Sequence, residues 1–333
     1  MPGSRRGGAG QDLQLGLFGA AGTETVRPAS HSPEVTDLSG RLPRAVRLGT
    51  SSWSFPGWRG IVWEERHGAD LLSREGLPAY ARHPLLRAVG LDRTFYAPLP
   101  ASELARHAAQ VPEDFRFLVK ASQLCTFPRL RAGGGGAERD NPRYLDAAFA
   151  RDAVVAPAVE GLAGRLGAIL FQFPPLPRAE ARDPERFAER LAAFLRDLPR
   201  GPPYAVEIRN AGLLHPAYAS ALASAGASHG FTVHPSMPAL EAQAGVAPPE
   251  AQPSLVVRWM LGHGRGYEEA RDLYEPFDRL AAPDPGSRAS VADLVRRAVR
   301  AGKEGLVVVN NKAEGSSPLS LLELARVLAG RAP

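Results

Sequence analysis

The sequence predicts an α/β protein, a single-domain (β/α)8 TIM-type barrel behind a disordered N-terminal tail, on three observations. Eight short apolar runs recur between residues 46 and 309. Amphipathic helical stretches separate several of them, the alternation that builds a parallel sheet with crossover helices. The first run leads into Ser51-Ser52-Trp53-Ser54-Phe55. A doubly wound open sheet, the competing architecture, usually places a Gly-rich G-x-G-x-x-G turn there.

In chain order, residues 1–44 are rich in Gly, Ser, Pro and Ala without periodicity and are predicted to be the tail, with the barrel over residues 45–331. The strand-like runs are 46–50, 87–91, 115–119, 168–173, 204–208, 230–233, 255–259 and 306–309. Helices are predicted at 102–110, 187–198, 291–301 and 319–328, with a further one at 144–162 interrupted by Pro157. In the 187–198 stretch, Phe187, Leu191, Phe194, Leu195 and Leu198 share one face. The four-glycine run 133–136, the Pro- and Ala-rich segment 236–253 and Gly262-His263-Gly264-Arg265-Gly266 read as loops.

The 333 residues are 44% hydrophobic, enough for one barrel-sized core. A net charge of +5 favours anionic partners slightly but is too dilute for a protein that coats nucleic acid. No apolar run reaches the length of about 18 residues that a membrane helix needs. Arg5 and Arg6 are followed by Gln11, Asp12 and Gln14 rather than an apolar stretch, so no export signal is read. The single cysteine, Cys125, excludes an internal disulfide and suits a cytoplasmic location. Of 40 basic residues only three are lysines, Lys120, Lys303 and Lys312. In so Arg-biased a chain, a retained lysine is a candidate for amine chemistry.

Barrel enzymes carry their reacting groups at the carboxyl ends of the strands. Here those ends read Trp53, Asp92, Lys120, Gln172, Glu207 with Arg209, His234, Arg258, and Asn310 with Asn311. In Tyr204-Ala205-Val206-Glu207-Ile208-Arg209, alternation puts Glu207 and Arg209 on one face above the small Ala205. The pair is read as a carboxylate oriented by a guanidinium; a structural ion pair closing the barrel top is the competing reading. Lys120 is assigned first to anion contact, then to a structural salt bridge with Glu207 or Asp92, and last to Schiff-base chemistry. Arg258 repeats the pattern from the seventh run, and Trp53, Phe95 and Tyr96 are candidate pocket walls. Trp58 and Trp63 read as core or loop packing. The Gly262–Gly266 loop, with His263 and Arg265, is a weak candidate phosphate site, and a plain turn reads equally well.

Neither H-x-H nor H-E-x-x-H spacing occurs, nor a nucleophile elbow or P-loop, so no metal or cofactor is expected. A single metal on Glu207, Asp92 and His234 is the alternative. The predicted catalytic residues are therefore Lys120, Glu207 and Arg209. Trp53, Tyr96, Gln172, Arg258, His263, Asn310 and Asn311 are the predicted substrate-binding residues.

Seven blocks, in order, resemble the YecE-like family, catalogued as domain of unknown function 72. They are Leu48-Gly49-Thr50-Ser51-Ser52-Trp53-Ser54-Phe55 with Trp58 and Gly60, then Thr94-Phe95-Tyr96 with Pro98, then Phe117-Leu118-Val119-Lys120-Ala121. Leu170-Phe171-Gln172-Phe173-Pro174-Pro175, Val206-Glu207-Ile208-Arg209-Asn210, Val257-Arg258 and Asn310-Asn311 complete the set. The resemblance spans about residues 45–330. It implies the eight-stranded barrel and a pocket formed by Trp53, Tyr96, Lys120, Gln172, Glu207, Arg209, Arg258, Asn310 and Asn311. It supplies no activity, and the relation to sugar isomerases that it implies rests on architecture alone. Gly90 and Asp92 stand where the family pattern carries Glu and Asn. The pattern's His after the Lys block is replaced by Cys125-Thr126-Phe127, and its aromatic after the Glu-x-Arg block by Leu213-Leu214. Loss of the Glu puts two-carboxylate chemistry in doubt.

In the tail, Gln14-Leu15-Gly16-Leu17-Phe18 resembles the short peptide by which bacterial replication and repair proteins bind the sliding clamp. The competing reading is an apolar patch that docks on the barrel. The sequence thus supports an enzyme acting on a small anionic or sugar-like molecule. Two alternatives stand beside it: a nucleic-acid maintenance factor, a nuclease or repair enzyme, recruited by the clamp; and a non-catalytic binding barrel.

Overall fold

The computed structural model describes residues 25–131, 137–262, 264 and 266–330. Eight parallel strands close into a barrel: β1 (Val46–Thr50), β2 (Leu86–Leu91), β3 (Arg116–Lys120), β4 (Leu166–Gln172), β5 (Tyr204–Glu207), β6 (Ser228–Val233), β7 (Leu255–Trp259) and β8 (Gly305–Val309). Each pairs with its sequence neighbours, and β8 closes onto β1 with Val46 opposite Gly305 and Thr50 opposite Val309. The predicted (β/α)8 barrel is therefore the fold, with strand ends within two residues of those expected. Among the described residues, no helix is long and apolar enough to cross a membrane.

The strands are β-branched and apolar because both faces are covered. Inside lies a cluster of Ala88, Leu118, Ala168, Leu170, Ala205, Val256, Leu306 and Val308. Outside, the larger core packs the alternate strand residues against helices. In helix α4 (Pro184–Arg196), Phe187, Leu191, Phe194 and Leu195 are buried as the periodicity requires. Asp183 caps this helix, its carboxylate accepting from the Arg186 amide at 3.0 Å, and Pro184 fixes the first turn. Full burial of Leu191 contributes roughly 1.5–3 kcal/mol relative to leaving it exposed.

Two expectations change. Residues 25–44, assigned to the tail, pack on the barrel in part. Helix α1 (Pro33–Arg41) buries Val35 and Leu38, and Glu34 takes two hydrogen bonds from Arg326 at 2.9 and 3.0 Å. A few apolar residues were enough to override the tail-like composition. Gln14, Leu15, Leu17 and Phe18 lie outside the described residues. The helical break expected at Pro157 falls earlier, in a wider π-type turn at Arg151–Val155. Pro157 itself sits in the first turn of Ala156–Leu162, where a missing N–H costs little.

At the barrel's N-terminal end, arginines tie strand starts to backbone carbonyls. Arg47 donates to the Asp114 carbonyl at 2.8 Å and pairs with Glu304 at 3.1 Å. Arg116 reaches the Glu113 and Phe115 carbonyls at 2.8 and 2.9 Å, and Arg87 the Val46 carbonyl at 2.7 Å. Arg47, Arg116, Lys303 and Glu304 border a cavity of about 320 Å³ there.

Candidate active site

Alternation along the strands builds the other end. Two residues beyond the inward-facing Leu118, Leu170, Ala205, Val256 and Val308 stand Lys120, Gln172, Glu207, Arg258 and Asn310. Glu207 is fully buried, directly opposite Gln172 in the β4–β5 register. The β6 strand makes room for it at Gly230, where a Cβ would lie 3.2 Å from the Glu207 Cβ.

Glu207 holds two guanidiniums. Its Oε1 pairs with Arg209 Nη2, and its Oε2 accepts from Arg258 Nη1 at 3.1 Å. Arg258, also buried, reaches Asp92 Oδ1 with Nη2 at 3.5 Å. Burial works to raise the Glu207 carboxyl, but Arg209 and then Arg258 outweigh it and hold the group below the usual carboxylate range. Arg209 Nε and Arg258 Nε are buried and donate to no protein acceptor.

Above this floor opens a cavity of about 350 Å³. Asp92, Lys120, Gln172, Arg209, His234, Arg258 and Asn310 give it polar walls, and Phe95, Tyr96, Pro174, Pro175, Met260, Leu261 and Tyr267 give it apolar ones. Lys120 extends from the end of β3, where the Thr94 hydroxyl donates to its carbonyl at 2.6 Å. Its Nζ lies 3.8 Å from the Phe95 ring centroid. No carboxylate among the described residues comes within ion-pair distance of it, because Glu207 and Asp92 are engaged by arginine. Burial, then the Arg258 charge, pushes the Lys120 ammonium down to about 8. Three cations, Lys120, Arg209 and Arg258, thus face two carboxylates, Glu207 and Asp92. Electrostatically the cavity suits an anion.

The structure brings Tyr96, Lys120, Gln172, Arg209, Arg258 and Asn310 around one mouth, with Glu207 directly beneath. Two expected residues lie elsewhere. Trp53 is buried, donating its indole N–H to the Leu72 carbonyl at 3.1 Å and packing edge-on against His107. The Thr50 hydroxyl donates to the Ser52 carbonyl at 2.7 Å, which turns the chain as it leaves β1. Asn311 is also buried and structural, accepting from the Ser317 amide and hydroxyl at 2.9 and 2.8 Å at the start of Ser317–Leu328. His263 and Arg265 lie outside the described residues. The helix after their loop, Tyr267–Tyr274, opens with Glu268 and Glu269, and the Gly266 amide already donates to Glu269 at 3.3 Å. That helix start is acidic, which disfavours a bound phosphate.

His234 and Asp92 were visible as strand ends but were not carried into the predicted site. The same alternation finds them, two residues beyond Thr232 and Gly90. Asp92 keeps a second carboxylate in the mouth despite Gly90. A side chain at position 90 would be tight, since its Cβ would lie 3.0 Å from the Ser51 carbonyl oxygen. Met260 was missed too, although it lies two residues past Arg258 and so on the same face. Tyr267 carries no such signal. Trp58 and Trp63 are fully buried, as read. No group of three or more His, Cys, Asp or Glu side chains positioned to hold a metal occurs among the described residues.

A family model described as a protein of unknown function, DUF72, matches residues 47–333. A DUF72 family protein from Thermotoga maritima superposes with a TM-score of 0.56 at 22% identity, covering 85% of this chain and 98% of that one. A DUF72 family protein from Enterococcus faecalis superposes at 0.53 with 19% identity, covering 86% and 96%. At these identities the likeness speaks to fold alone. No curated protein matches the chain.

Proposed function

We propose, for a chain that belongs to the DUF72 family of proteins of unknown function, that it is an enzyme acting on a small anionic or sugar-like substrate at the C-terminal mouth of the barrel. The observation that carries this reading is the surplus of one positive charge around a cavity of about 350 Å³. Buried cations are costly unless something repays their desolvation, and a bound anion does so. Lys120 and the outer faces of Arg209 and Arg258 take the anionic group. Glu207, with no exposed atoms and two guanidiniums to hold, positions those arginines and stays ionised at neutral pH rather than delivering a proton. Gln172 and Asn310 supply amides to hydroxyls. Tyr96 and Tyr267, 75% and 58% exposed, offer flat apolar faces to the uncharged remainder of the substrate.

Calorimetric titration with a panel of small carboxylates and sugar phosphates tests the reading. The expected result is salt-sensitive binding that weakens at least about tenfold in Lys120→Ala and Arg209→Gln variants whose circular dichroism is unchanged. Equal binding by the folded variants overturns it. A purely binding barrel is separated from an enzyme by turnover of the ligand so found.

Recruitment to a sliding clamp through Gln14, Leu15, Leu17 and Phe18 is a separate proposal that rests on the peptide sequence alone. Phe18 lies seven residues before Thr25, a span of at most roughly 25 Å, so the peptide would be held close to the barrel. Co-precipitation with a purified bacterial clamp, lost in a Leu17→Ala, Phe18→Ala double variant, is the expected outcome. Retention by that variant removes the proposal.

A further inference from the structure

We infer that Lys120 is a nucleophilic amine that forms a Schiff base with a carbonyl group of the anionic substrate. The inference deepens the proposed function and rests on it, because the same cations must first seat the anion beside the amine.

Position comes first. Lys120 ends an inner strand, so its stem rises through the barrel's packed interior and only its end reaches the cavity. Its ammonium has an aromatic face rather than a carboxylate for company, Phe95 at 3.8 Å. Both nearby carboxylates are committed, Glu207 to Arg209 and Arg258, and Asp92 to Arg258. A lysine meant only as a structural ion pair would be expected to sit against one of them. The groups that face it are Asp92 after β2, Glu207 and Arg209 from β5, His234 after β6 and Arg258 from β7. Phe95 is itself braced edge-on by Tyr96 and Phe127, at 5.2 and 5.5 Å between centroids.

The electrostatics favour the neutral form. With the ammonium pushed down to about 8, roughly a tenth of the chains carry a free amine at pH 7, against well under a thousandth for an unperturbed lysine. Arg209 and Arg258 stay charged throughout and keep hold of the anion while the amine is neutral.

The step balances without a further reactant. The Nζ lone pair attacks the carbonyl carbon, and the C=O π pair moves onto oxygen. The proton shed by nitrogen returns to that oxygen, giving the carbinolamine. Loss of water leaves an iminium, so amine plus carbonyl becomes imine plus water. The iminium carries the charge that the ammonium carried, so the balance between cavity and anion is restored on bond formation.

The chain is its own control, since its other two lysines are Lys303, at the opposite end of the barrel, and Lys312. Lys312 is buried with its ammonium over the Tyr267 ring at 4.1 Å. Full-length protein is incubated at pH 7 with glyoxylate, pyruvate or pyridoxal 5′-phosphate, reduced with borohydride, and mapped by peptide mass. The expected result, with at least one probe, is labelling of Lys120 at least about tenfold faster than Lys303 and Lys312. Saturating chloride or phosphate should slow it, and the rate should rise with a midpoint near pH 8. Labelling that favours Lys303 or Lys312, or reduced adducts on none of the three, overturns the inference. Anion binding that persists in Lys120→Arg while labelling is absent from wild type would leave the binding site standing and remove only the Schiff base. Because the map is made on wild-type protein, no conclusion depends on a variant that fails to fold.

Discussion

The two ends of the barrel both gather arginines around cavities of similar size, about 350 and 320 Å³, yet they spend their guanidiniums differently. At the N-terminal end, Arg47, Arg87 and Arg116 donate to backbone carbonyls of neighbouring strands and turns. Those bonds fasten strand starts and lie near solvent, as the 67% exposure of the Glu304 side chain shows. At the C-terminal end, Arg209 and Arg258 converge on one fully buried carboxylate, and a lysine without a carboxylate partner stands beside them. Number of cations does not separate stitching from binding. What separates them is whether the charges answer to the backbone or to a common point in space.

If that distinction is right, variants at the two ends diverge in both stability and binding. The largest effect is expected for Glu207→Ala, which leaves two buried guanidiniums without a carboxylate. Chemical denaturation should show a loss of about 3–5 kcal/mol. Arg47→Ala at the other end removes one carbonyl bond and a solvent-weakened ion pair, and should cost about 1–2 kcal/mol with anion affinity unchanged.

Lys120→Met should stabilise. The folded-state value of about 8 lies below the unfolded 10.5, so the native state sheds this proton more readily. The charge on Lys120 therefore costs stability in full below about pH 8, and the cost fades between 8 and 10.5. Denaturation curves should give the variant about 1–2 kcal/mol at pH 7, with the gain shrinking as pH rises towards 10.5. A pH-independent difference would mean that packing, not charge, separates the two proteins.

The smallest effect belongs to the rim. Tyr267→Ala should change stability by no more than about 0.5 kcal/mol. It should weaken a ring-bearing anion about fivefold while leaving inorganic phosphate unaffected, as read by the same titration. Equal weakening of both would place Tyr267 in contact with the anion itself.

The barrel was readable in the sequence because inner and outer strand faces are both apolar and each run is bounded by turn or helix. The helix Pro216–Ala225 escaped notice because its alanine-rich sequence shows no stripe. Lys120, Gln172, Glu207, Arg258 and Asn310 were legible since each continues an inward row by one more alternation. Asn311 is one step out of phase with Asn310 and faces the packing behind the strand. Trp53 misled because the chain turns on leaving β1, after which strand alternation no longer applies. Tyr267 arrives in the mouth by way of a loop, eight residues beyond Trp259, and no local pattern encodes that return.

Bromide is a compact monoanion with an anomalous signal, and crystals of the full chain soaked in it would test the account most directly. The account predicts a peak in the mouth cavity within contact distance of Lys120 and of Arg209 or Arg258. A peak only beside Arg47 and Arg116, with the mouth empty at the same bromide concentration, would contradict it.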